Sequence, residues 1–190
     1  MTVSFAPTGD ADADALVVGD PLALLIGMLL DQQIAIELAF KGPLRLQQRI
    51  GDLRADVVAD FDPDALAEVF AEKPALHRFP AAMARRTQEL CRHLVEEHDG
   101  SADLWSDGPT ARVLGERIAA LPGFGDEKVM ILVAVLAKRF GIRPRGWKQL
   151  AGPFADGEPR SVADMADDAA RAEVRAWKKL QKAAGKTKQQ

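Results

Sequence analysis

The chain has no tyrosine, a single cysteine, and aromatic residues at only 6% of its 190 positions. With Cys91 alone no internal disulfide can form, which fits a reducing compartment, so a cytoplasmic location is expected. Long apolar runs are also missing. The longest, Val129 to Ala137, has nine residues, well short of the roughly 20 that a bilayer-spanning helix needs. The N-terminus lacks a basic stretch followed by a hydrophobic one, so no signal peptide is expected and no membrane partner is implied. Strand patterns and internal repeats are absent; Leu16-Val17-Val18 and Val57-Val58 are too short to build a sheet. His77, His93 and His98 have no second ligand pair at metal-binding spacing, and no metal site is assigned.

What remains reads as a soluble, all-α chain able to bury one good core or two small lobes. Its net charge of −3 hides an asymmetry. Residues 1–76 hold 13 Asp/Glu and 5 Lys/Arg, a balance of −8, whereas residues 77–190 balance at +5. The basic half suits a polyanion partner. Randomly clustered surface charge, under an overall pI near 5.7, is the competing reading.

Residues 1–19 are small and acidic and read as a loosely ordered arm that packs Phe5 or Val17-Val18 onto the body. Asp20-Pro21 is a good start for a helix, the Asp as cap and the Pro in the first turn, and Leu22 to Leu30 is apolar almost all round. Asp31-Gln32-Gln33-Ile34 follows, with Asp31 read as the cap of a helix that breaks at Gly42-Pro43 and resumes to Ile50. Asp62-Pro63-Asp64 opens another helix with Leu66, Val69 and Phe70 inward. Pro80 to His98 is a long amphipathic helix with Met83, Thr87, Leu90, Cys91 and Leu94 on one face and Arg85, Glu89 and Arg92 on the other, Arg86 lying at the border. The last helix runs from about Asp167 to Ala184, acidic at its start and basic at its end as the macrodipole favours.

Between these lies the most informative stretch, Leu121-Pro122-Gly123-Phe124-Gly125. An amphipathic helix, Ala111 to Ala120, precedes it, and a helical run from Asp126 to Phe140 follows. Two glycines in so short a turn allow positive φ and leave no Cβ between the backbone amides and a ligand. The amides at the start of the second helix make a natural phosphate site. An ordinary helical hairpin punctuated by glycine is the bland alternative.

Leu121 to Gly125, with Lys128 and the apolar run beyond, resembles the DNA-binding hairpin of the helix-hairpin-helix-Gly/Pro-Asp superfamily of base-excision DNA glycosylases. The resemblance covers roughly residues 20–150. It includes Leu29-Leu30-x-Gln32-Gln33-Ile34 about ninety residues upstream of the hairpin, where the family places a polar side chain that wedges into the gap left by a flipped base. It also includes the basic helix carrying Arg85 and Arg86, which in the family meets the phosphate backbone.

The resemblance implies two helical lobes, one from the middle of the chain and one from both its ends, with a lesion pocket between them. It implies double-stranded DNA, damaged or intact, as the partner of a monomer that is nucleoid-associated when bound. Leu121, Gly123, Phe124, Gly125, Lys128, Arg85, Arg86, Gln32, Gln33, Arg143 and Arg145 are the candidate DNA-binding residues. Hairpin carbonyls of the family often hold a monovalent cation. The iron–sulfur cluster that some members carry is excluded, since it needs four cysteines. The chain then divides into an acidic arm (1–19), the helical core (20–150), a connection and helix packing back on it (151–184), and a disordered basic tail (185–190).

Two departures stand out. The family's catalytic Asp lies about two dozen residues beyond the first Leu of the hairpin. That place falls near Arg145-Gly146-Trp147, and no Asp lies between Asp126 and Asp156. The lysine of strand-cleaving members is matched by Glu127; Lys128 comes one residue late, about 100° around the helix. Asp126 and Glu127 also suit the helix start but repel a phosphate there. Two readings of different class follow: a glycosylase releasing a damaged base without a lyase step, with its catalytic residue unassigned, and a non-catalytic DNA-binding protein on the same scaffold. A helical adaptor with no DNA role is a third.

Overall fold

The computed structural model describes residues 3–187 and 189, and its regular elements are helices throughout. The tail assigned to 185–190 therefore falls partly outside the described residues, at Lys188 and Gln190. In chain order the α-helices are α1 (Ala11–Gly19), α2 (Pro21–Leu30), α3 (Ile36–Ile50), α4 (Ala55–Ala59), α5 (Pro63–Ala71), α6 (Pro80–His98), α7 (Ala111–Ala119), α8 (Asp126–Lys138), α9 (Trp147–Ala151) and α10 (Asp168–Ala183). Side-chain oxygens start many of them. Asp10, Asp20, Asp62, Thr110 and Asp167 each accept an amide of the first turn of α1, α2, α5, α7 and α10. Pro21, Pro63 and Pro80 stand in the first turn, where a missing N–H costs nothing.

The helices gather into two compact units, each with its own core. One comprises residues 10–104 with Leu121–Gly123. Its centre is α2, buried from Leu22 to Leu30 and packed among α1, α3 and α6. Each large side chain buried there contributes about 1.5–3 kcal/mol. Glycines let α2 and α3 approach closely. A Cβ on Gly27 would stand 2.8 Å from Phe40, and one on Gly42 would stand 2.5 Å from Leu30. The second unit comprises the segment up to Gly9, Trp105–Ala120 and the chain from Phe124 onward. Its centre is α8, buried at Val129 and from Ile131 to Ala137, against α7, α9 and short 3₁₀ turns at Gly152–Ala155 and Val162–Asp164. No single helix among the described residues is long and apolar enough to cross a membrane.

Several sequence expectations need correction. The arm is not loose: residues 11–19 form α1, and Phe5 packs its ring 5.9 Å from that of Phe140. Gly42-Pro43 does not break α3, which runs through both residues. An interior proline forfeits one backbone bond and costs about 3 kcal/mol, but Ala39, Phe40, Gly42, Pro43 and Leu46 are all buried, and that packing holds the helix together. Asp31 ends α2 rather than capping α3, whose N-cap is Ala35 without any side-chain bond. α4 was not foreseen, its apolar pair Val57-Val58 being too short to show a period. Beyond α10, Gly185 takes φ +67, the Lys186 amide reaches Gln181 O and the Gly185 amide reaches Lys182 O. That pattern is a Schellman close, so the tail begins as ordered chain.

Candidate nucleic-acid interface

The hairpin is shaped by what it buries. Leu121 and Phe124 are only 2% and 5% exposed, so their side chains anchor the turn and leave its backbone to a ligand. Gly123 has φ +85, the left-handed region that an L side chain pays to enter. A Cβ there would also stand 2.5 Å from Leu29 Cδ1. Gly125 differs from the expectation of positive φ: it is the N-cap of α8 with φ −82 and ψ 176, which any residue adopts, and open space surrounds it. What glycine supplies at 125 is bareness at a helix start. Asp126 and Glu127 occupy the first turn of α8, and Lys128 holds its ammonium 5.8 Å from the centre of the Phe124 ring.

At the far end of α8, Arg143 Nε donates to Ala137 O at 2.9 Å, a bond that satisfies a carbonyl of the last turn. Arg145 lies exposed beside it. Gly146, in the left-handed region at φ +92, is the N-cap of α9. The place matched to the family's catalytic Asp, near Arg145-Gly146-Trp147, thus carries no carboxylate. The nearest aspartates downstream are engaged. Asp156 accepts from Arg160 Nε at 2.9 Å and from the Glu158 amide at 3.0 Å. Burial pulls its carboxyl upward, but these bonds and the Arg160 and Lys138 charges outweigh it and hold the group below the usual carboxylate range. Asp164 pairs with Lys138 at 2.6 Å and accepts the Ser161 amide at 3.0 Å, within a capping box.

The Gln-Gln element lies in the other unit, in the turn between α2 and α3. Gln32 is held at three points: Nε2 donates to Leu29 O at 2.7 Å, Oε1 accepts from Arg86 Nη1 at 2.9 Å, and its carbonyl meets His77 Nε2 at 2.8 Å. His77 is buried, and its Nδ1 accepts the Phe79 amide at 3.1 Å. An amide can only donate and a carbonyl only accept, so this pairing fixes the neutral tautomer with the proton on Nε2. Gln33 is exposed at φ +58, an uncommon conformation for a residue with a Cβ. Phe79 is 43% exposed, with the Arg78 guanidinium 4.8 Å from its ring centre. Arg85 instead faces Glu89 at 3.7 Å.

The fold therefore brings together Gln32 and Arg86, two candidate DNA-binding residues 54 positions apart whose contact the sequence does not announce. Gly123, Gly125 and Lys128 share one turn, and Arg143 and Arg145 share another. No site role is read from sequence for His77, Arg78 or Phe79. An aromatic residue just before the helix-opening Pro80 was the available signal for Phe79, whereas the His77 bonds are tertiary and leave no mark in sequence.

An all-α chain whose glycine turn joins two helices in this way falls in the helix-hairpin-helix class. The family model described as HhH-GPD superfamily base excision DNA repair protein matches residues 26–188, and the chain belongs to that superfamily. The match extends past the segment that carried the sequence motifs and takes in most of the C-terminal region. Proteins of this superfamily act on DNA, which makes DNA the partner. No curated protein and no solved structure matches the chain.

Proposed function

We propose that this protein is a monomeric DNA glycosylase that grips double-stranded DNA through the Gly123–Gly125 turn and releases a damaged base without cutting the strand. The observation that carries the reading is the fixed presentation of Gln32. Arg86, His77 and Leu29 hold it in one conformation, and the exposed Phe79 ring lies 6.0 Å from that of His77, which suits a polar wedge and an apolar stacking partner where a base has left the duplex. Base release breaks the C1′–N bond, with water supplying hydroxide to C1′ and a proton to the departing base. A lyase step needs a neutral amine at C1′; Glu127 stands at the matched position, and the Lys128 ammonium rests against Phe124. The monovalent cation implied by the resemblance would be held by carbonyls of the hairpin, among them that of Gly123, for which no backbone hydrogen bond is found among the described residues. It would supply positive charge beside a bound phosphate.

A non-catalytic damage-binding role is the second reading, favoured by the bare Gly146 and by the engagement of Asp156 and Asp164. A panel of duplexes, each with one damaged base, separates the two. Free base from at least one duplex, with no covalent complex trapped by borohydride, is the result expected of a monofunctional glycosylase. Tight binding to abasic duplex with no base released from any substrate sinks that reading and leaves the second.

A further inference from the structure

The C-terminal helix is the most lightly seated element of its unit and the most basic. Of the residues of α10 only Val174 is buried. Its inner side is completed by Trp177, whose ring lies 5.4 Å from the Arg160 guanidinium, and by Arg171, which donates to Ala6 O at 2.9 Å. After Glu173 the sequence contains no acid and six bases: Arg175, Lys178, Lys179, Lys182, Lys186 and Lys188. At 100° per residue, Arg175, Lys178, Lys179 and Lys182 fall within an arc of roughly 100° that begins beside Val174, with Lys178 half-buried at its inner border and Arg175, Lys179 and Lys182 exposed. The stripe from 175 to 182 is about 10 Å long, and over that length duplex DNA presents roughly six phosphate charges.

Ordinary helix chemistry accounts for only part of this. Cations in a last turn complement the macrodipole, which explains Lys182. Arg175, Lys178 and Lys179 lie above that turn, and like charges at i,i+3 and i,i+4 destabilise a helix standing alone. The wider charge distribution points the same way. Residues 10–104 with 121–123 carry 18 acids and 9 bases, whereas the remainder, which includes α10, carries 10 acids and 16 bases. The surplus of positive charge thus belongs to the unit that holds α10, and more than a third of that unit's bases follow Glu173.

We infer that the basic face of α10 is a second DNA contact, gripping the sugar–phosphate backbone independently of sequence and of damage. This rests on the DNA-binding reading above and extends it to a surface outside the hairpin and the Gln32 turn. Its work is affinity and retention on undamaged duplex, with lesion discrimination left to Gln32 and its neighbours.

The test is a salt titration of binding to an undamaged duplex, comparing the full chain with K178Q/K179Q/K182Q. Glutamine keeps helix propensity, and Lys179 and Lys182 are exposed, so the melting temperature is expected to stay within a degree or two. Losing three phosphate contacts should flatten the slope of log K against log salt by roughly 2.7, and weaken binding at least tenfold at low salt. The ratio of affinities for damaged and undamaged duplex should stay unchanged. An unchanged slope in the triple variant overturns the inference while leaving the hairpin reading intact. No binding of duplex by the wild-type chain overturns both. Wild-type binding to vesicles of anionic lipid that the triple variant loses, with duplex binding retained, assigns the face to a membrane and overturns it too.

Discussion

Gly123 and Gly125 stand two residues apart in one turn, yet substitution should affect them in opposite ways. Alanine at 123 meets two obstacles. A left-handed φ costs an L residue about 1–2 kcal/mol, and the new Cβ would stand 2.5 Å from Leu29 Cδ1. Leu29 has no exposed surface and sits in the most completely buried helix of the chain, so it has little room to move. Overpacking of this kind typically costs 1–3 kcal/mol. Gly123→Ala is therefore expected to lose roughly 2–5 kcal/mol, a fall in melting temperature on the order of 4–20 °C for a chain of this size. Alanine at 125 takes an extended φ with nothing within 4 Å. Its stability should change by less than about 1 kcal/mol, a lost cap preference being offset by a stiffer unfolded chain. Under the proposed grip its DNA affinity should still fall, because the methyl group would stand in the way of a phosphate at the start of α8. Calorimetry and duplex binding at fixed salt read both effects. Adding Leu29→Ala to Gly123→Ala should recover the clash component and leave the φ penalty. Equal losses of stability at 123 and 125, or no coupling between 123 and 29, would refute the reasoning.

Four other outcomes are expected. Burial pushes the Cys91 thiol up to about 12, so native protein should resist alkylation at neutral pH and react only as fast as it unfolds. Lys138→Ala strands the Asp164 carboxylate in a site where both side chains are nearly buried; a loss of about 3 kcal/mol in urea unfolding is expected. Gln32→Ala should leave undamaged-duplex binding nearly intact while removing any preference for damaged or abasic DNA, and equal losses on both would make the residue structural only. Asp156 has a depressed carboxyl in the folded chain, so its stabilisation is present above the unfolded value near 3.9 and is lost as pH falls through the folded one. With the side chain 39% exposed, Asp156→Asn should cost less than about 1 kcal/mol at pH 7, a difference that vanishes in acid.

The parts of the fold that could be read in advance are those with local causes. Asp62-Pro63 and Pro80 mark helix starts through chemistry confined to one turn, and the bounds of α6 emerge as expected from them and from its apolar face. The hairpin is legible for the same reason. The failures share a different cause. Pro43 inside α3 contradicts its local preference and is overruled by packing against α2 that no nearby residue announces. Asp31 looks like a cap because caps are read from spacing, but four residues of turn separate it from α3. Gly125 has the residue type of a left-handed turn and the conformation of an extended one. At the candidate site, Gln32 was legible by type, but its bonds to Arg86 and His77 join residues 54 and 45 positions apart, a distance over which sequence spacing carries no signal.

One residue of α2 takes part in both halves of the candidate machinery. The carbonyl of Leu29 fixes the Gln32 amide, and its Cδ1 marks the closest approach allowed to Gly123. A device that holds a polymer at one point and inspects it at another needs the interval between them to be constant, or every reading drifts. Here a single leucine serves as the datum from which both positions are measured. Lengthening the hairpin by one residue would shift Gly123 against Leu29, an error of calibration expected to show both as lost stability and as lost lesion discrimination.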